Sequence, residues 1–146
     1  MRIILGLIAL SGACGGSSTV PDLAVAPSFC DDAAPALAPS FDNVSRLFTT
    51  YCVSCHAGTD VDLTRDKILS TLVGRAVPSY EGTDERCGGI LVVPGDAGVS
   101  FLAQKVQSPT PCAGAQMPRA EFGSAPLPAC ATRLVVDWIN AGAKGP

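Results

Sequence analysis

The sequence predicts a small all-α domain of about four helices joined by long loops. Apolar residues recur at helical spacing in four segments, each marked by a capping residue before it or a glycine after it. No apolar–polar alternation of useful strand length occurs; Ile90–Val93 is a four-residue apolar stretch that suits an extended segment. The 146 residues include 15 Gly and 12 Pro, and only 5% are aromatic, which implies a lean core and much loop.

The first helix is expected at about 41–54. Ser40 is its N-cap, and Val44, Leu47, Phe48, Tyr51 and Cys55 follow helical spacing. A second is expected at about 65–73, with Thr64 as cap, Ile68, Leu69, Leu72 and Val73 on its inner side, and Gly74 as stop. A short third helix follows Asp96 and contains Phe101, Leu102 and Val106. The last is the clearest, at about 128–141. Pro128 stands near its first turn, Leu134, Val135, Trp138 and Ile139 share one side, and Gly142 ends it. So few large apolar positions make a thin core, which implies a further apolar body inside the fold.

Charged residues are 16% of the chain and the net charge is -3. With no basic block, nucleic acid is not an expected partner. The 47% hydrophobic content excludes a wholly disordered chain. Arg2, the apolar run Ile3–Leu10 and the small residues Ser11-Gly12-Ala13 read as an export signal over 1–13. The run falls short of the roughly 20 apolar residues that a membrane-spanning helix needs. Cys14 is then either a lipid-bearing residue, as in bacterial lipoproteins, or the first residue after simple cleavage. Either event delivers the chain to a compartment where disulfides persist. Residues 14–39, opening with Gly15-Gly16-Ser17-Ser18, read as a tether partly tied down by Cys30, and 40–146 as the folded domain.

Cys52-Val53-Ser54-Cys55-His56 is a C-x-x-C-H sequence, the attachment pattern of c-type haem. Thiols three apart on a helix share a face and can reach the two vinyl groups of one porphyrin edge, while the adjacent imidazole serves the iron. Two other chemistries use parts of this pattern: a C-x-x-C redox dithiol and a zinc site, which would need a fourth ligand. His56 is the sole histidine, so a second axial ligand must be another residue type. Met117, in Gly114-Ala115-Gln116-Met117-Pro118, is the only methionine left once the signal is removed. Tyr51, Tyr80 and Lys105 are weaker candidates. Asp60, Asp62, Asp84, Glu85 and Asp96 form no convincing acid–base pair and read as solvated loop residues.

These elements together resemble a class I bacterial cytochrome c domain over about 41–143. The resemblance rests on Leu47-Phe48 before Cys52–His56, Val93-Pro94-Gly95-Asp96 with Ser100-Phe101-Leu102, Gln116-Met117-Pro118, and Trp138-Ile139-Asn140-Ala141-Gly142-Ala143. It implies a cytochrome c-like helical bundle around one haem, with Cys52 and Cys55 as thioether attachments, His56 as proximal ligand and Met117 as distal ligand. It also implies an electron carrier rather than an enzyme, serving other periplasmic or membrane redox proteins and meeting the membrane only through a lipid at Cys14. Many members carry a proline soon after C-x-x-C-H; here Ala57-Gly58 follows. Trp138 and Ile139 either touch the haem or pack between the last and first helices. The alternatives are a haem enzyme or ligand sensor, and a disulfide-braced interaction lipoprotein without haem. Of the three pairings open to Cys30, Cys87, Cys112 and Cys130, the expected one joins Cys112 to Cys130, bracing the Met117 loop, and Cys30 to Cys87.

Overall fold

The computed structural model describes residues 29–78 and 89–146. The export signal, Cys14, Tyr80, Asp84, Glu85 and Cys87 lie outside the described residues. Within them the regular elements are helical, and no strand forms. Helix α1 spans Phe41–Tyr51, α2 Val53–His56, α3 Ile68–Leu72, α4 Phe101–Gln107 and α5 Ala129–Asn140, with a 3-10 turn at Ala120–Phe122 before α5.

Helix α1 begins where expected. Ser40 Oγ accepts the Asn43 N–H at 3.3 Å, and Val44, Leu47 and Phe48 are buried. It ends before the expected residue 54, because Cys52 leaves helical geometry at φ -124. Thr49 and Thr50 donate their hydroxyls to the Ser45 and Arg46 carbonyls, back-bonding that weakens and bends a last helical turn. Cys52 therefore closes α1 and opens α2, accepting the Cys55 and His56 N–H groups at 3.1 and 2.9 Å.

Helix α3 starts at Ile68 rather than 65. Thr64 does not act as its side-chain cap, because the hydroxyl donates to Asp62 Oδ1 at 2.7 Å, and residues 64–67 form a turn instead. The Ile90–Val93 stretch is extended, as allowed for. Leu91 donates to the Arg75 carbonyl, and Val92 accepts from Gly74, in isolated bridges.

Helix α5 runs through the core. Leu134, Val135, Trp138 and Ile139 are buried, and Trp138 meets Phe48 of α1 edge to face at 6.5 Å. Trp138 is 1% exposed and donates its indole N–H to the Lys144 carbonyl, so the packing role describes it and Ile139. A Schellman stop ends the helix: Ala143 donates to Trp138 O and Gly142 to Ile139 O, with Gly142 at φ 98. The same end holds the 93–97 turn, since Gly95 donates to Ile139 O and Ala97 to Asn140 Oδ1. Buried Ser100 accepts the Val93 N–H and donates to Asp96 O, which fixes the start of α4.

The expected disulfide pairing is not the one formed. Cys30 pairs with Cys130, across Cα atoms 6.2 Å apart. The reason lies in the segment before α1. Phe29 packs edge to face on Tyr51, and Asp32 Oδ1 accepts the Cys130 N–H at 2.6 Å. These contacts carry Cys30 to the first turn of α5 and displace both Cys112–Cys130 and Cys30–Cys87. Cys112 is also disulfide-bonded. No helix among the described residues is long and apolar enough to cross a membrane.

Candidate functional site

One mostly apolar cleft of about 320 Å³ gathers Cys52, Cys55, His56 and Met117 on its walls. They come from two separate segments. The end of α1 and the turn into α2 deliver the two thiols and the imidazole. The loop between α4 and the 3-10 turn delivers the thioether, where the Met117 N–H donates to the Lys105 carbonyl at 2.7 Å. Phe48, Leu63, Leu91, Phe101, Leu102 and Leu127 supply apolar wall. Phe122 stands on the rim, 69% exposed, with the Arg119 guanidinium 5.4 Å from its ring.

Cys52 and Cys55 are free thiols, whereas Cys30, Cys112 and Cys130 are all oxidised. Burial, reinforced by the neighbouring Cys55, pushes the Cys52 thiol up to about 12. The attacking thiol of an exchange-active dithiol is pushed down by cations or a helix N-terminus, and Cys52 is pushed the other way. Among the described residues no three His, Cys, Asp or Glu side chains converge as a closed zinc site requires. Of the weaker ligand candidates, Tyr51 and Lys105 both line the cleft. The Tyr51 hydroxyl accepts the Phe29 N–H at 3.4 Å, and the Lys105 ammonium donates to the Ala113 and Ala115 carbonyls.

Two residues outside the expected set complete the site. The segment after His56 has no proline; Asp62 organises it instead. Its carboxylate accepts from the Thr64 N–H, the Thr64 hydroxyl and the Gly58 N–H, and the Leu63 N–H donates to the His56 carbonyl at 2.9 Å. The Asp62-Leu63-Thr64 pattern is a recognisable side-chain turn signal, and it gives this loop carboxylate a structural role beside its solvation. The second is Arg119, whose Nε is buried without a hydrogen-bond partner among the described residues. The guanidinium charge itself is paired with Glu121 at 2.6 Å, so what is left over is the single Nε–H, a donor that an acceptor on whatever fills the cleft would satisfy.

Asp62 also sets an acid limit. Hydrogen bonds from Thr64 first, then Gly58, with help from Lys67, hold its carboxyl below the usual 3.8. A depressed value stabilises the fold above the unfolded value, and that stability is lost as the pH falls through the folded one. Asp62→Asn is therefore expected to lower the thermal midpoint at neutral pH, with the gap closing as the pH drops below 3.8. Parallel melts of both proteins across that range check it; an equal gap at every pH would remove the charge from the explanation.

No protein-family model, curated protein or solved structure matches the chain.

Proposed function

We propose that the chain is a one-electron carrier holding a single covalent c-type haem in this cleft, within a cytochrome c-like bundle. The observation that carries the reading is the convergence of the C-x-x-C-H residues and the lone downstream methionine on one apolar cleft. The donor set fits the group: two free thiols for attachment, one imidazole and one thioether for the iron, and the unsatisfied Arg119 Nε for an ionised carboxylate. Bound there, haem supplies reversible one-electron transfer between ferrous and ferric iron.

The chain's own residues define how that chemistry is used. Cys52 and Cys55 would tether the group, His56 would be the proximal ligand, and Met117 would be the distal ligand, a pairing that favours the reduced form. With His56 and Met117 both assigned to the iron, a bound haem would have no position left for a small substrate, and the reading is therefore a carrier. Phe48, Phe101 and Leu102 exclude water. The partners are other periplasmic or membrane redox proteins, reached after export through residues 1–13. Retention at the membrane is through a lipid on Cys14.

The test is an intact mass and a visible spectrum on the full chain made with the c-haem maturation machinery. One covalent haem and a weak Met–iron band at the red end of the oxidised spectrum are expected. Met117→Ala should keep the haem, lose that band and lower the midpoint potential. Haem without the band in the wild type would turn the reading to an open-coordinate haem enzyme or ligand sensor. A mass without haem would leave a disulfide-braced interaction protein.

A further inference from the structure

Helix α4 turns Phe101, Ala103 and Val106 toward the core, and Lys105 is buried with them, only 6% exposed. An ammonium in such a place is costly unless its donors are met. The short helix needs no cation there for its own ladder. What the side chain reaches is the loop that carries Met117. Nζ donates to Ala113 O at 3.0 Å and to Ala115 O at 3.3 Å, and stands 5.1 Å from the centre of the Phe101 ring. The main chain of the same residue accepts the Met117 N–H at 2.7 Å. One lysine thus grips the loop at three points within five residues, from a helix whose other inward side chains are apolar.

We propose that Lys105 is the positioning residue for Met117, clamping the 113–117 loop so that the thioether stays on the cleft wall. The proposal rests on the reading of Met117 as the distal ligand. In a loop rich in glycine and alanine, where Ala113 packs on the core and Cys112 is held by a disulfide, the ammonium adds the hold that fixes the stretch running up to Met117. It also separates Lys105 from the ligand role, because its ammonium already donates to two backbone carbonyls.

Hydrogen exchange by mass spectrometry on the full chain tests the clamp. In Lys105→Leu, amides of 113–117 should exchange about tenfold faster or more, as expected when a charge-assisted bond is lost, while α1 and α5 stay unchanged. Lys105→Arg, which keeps the charge and the donors, should restore most of the protection. In the haem-loaded chain Lys105→Leu, which adds no thioether to the cleft, should lose at least about half of the Met–iron band with covalent haem intact, again restored by Arg. Should the Leu variant not fold, Lys105→Gln, with one amide in place of the ammonium, gives the same comparison at an intermediate rate. Wild-type exchange at 113–117 in a folded Leu or Gln variant, or a full Met–iron band in either, would overturn the proposal. The exchange arm stands with or without haem: a wild-type chain lacking covalent haem would sink the carrier reading and leave Lys105 to be judged on exchange.

Discussion

A chain carrying both Cys52→Ala and Cys55→Ala is expected to leave the haem maturation machinery with no covalent haem at all. The two thiols are the free cysteines among the described residues, and both line the cleft beside His56. Cys30, Cys112 and Cys130 are already spent in disulfides, so they offer no substitute nucleophile. Each single variant keeps one sulfur and should keep part of the product. Intact mass after denaturation, with haem staining of the denatured chain, separates the three variants. The double variant should also unfold at lower denaturant than the loaded wild type, since a group bound only to the folded chain adds stability that is lost with it. Haem mass retained in the double variant would mean that other residues make the attachment, and the cleft would lose its assigned role.

Much of the fold was legible because its signals are local. Ser40 before an apolar helical repeat, and Trp138-Ile139 ahead of Gly142, specify α1 and α5 through capping and periodicity alone. The misread boundaries come from side chains with two possible uses. Thr64 has the composition of a cap, but Asp62 takes its hydroxyl first. Thr49 and Thr50 fit a helix, but their back-bonding helps end it before Cys52. In the site, C-x-x-C-H is readable because spacing itself encodes the chemistry. Arg119 and the anchoring of Met117 by Lys105 were not, because both depend on where a loop without periodicity lies across the fold. The disulfide pairing failed for a related reason. An even cysteine count says nothing about proximity, and the deciding contacts, Phe29 on Tyr51 and Asp32 on α5, join residues far apart in sequence.

Those contacts make the segment before α1 a structural part of the domain, and the second large effect is expected there. Helix α5 starts at Ala129, and Pro128 at its N-cap offers no side-chain cap. Asp32 supplies one from 98 residues away, placing a carboxylate at the positive end of the helix and accepting the Cys130 N–H. Cys30–Cys130, with a sequence separation of 100, fixes the same junction. On the chain-entropy account a loop of that length restricts the unfolded chain by about 4.7 kcal/mol, whereas a capping carboxylate contributes about 1 kcal/mol. Cys30→Ser with Cys130→Ser should therefore lower the unfolding free energy by about 3–5 kcal/mol, and Asp32→Ala by about 1 kcal/mol, in urea titrations of the full chain. The double serine variant is required because a single replacement would leave an unpaired thiol, which in the haem-free chain can mispair with Cys52 or Cys55. Since both changes act on one junction, their effects should fall short of additive: once the bridge is gone the segment is free to leave, and Asp32 loses its hold on α5 with it. Strict additivity would show that the cap persists without the disulfide, and a change below about 1 kcal/mol in the serine variant would show that the segment is held by Phe29 and Asp32 rather than by the bridge.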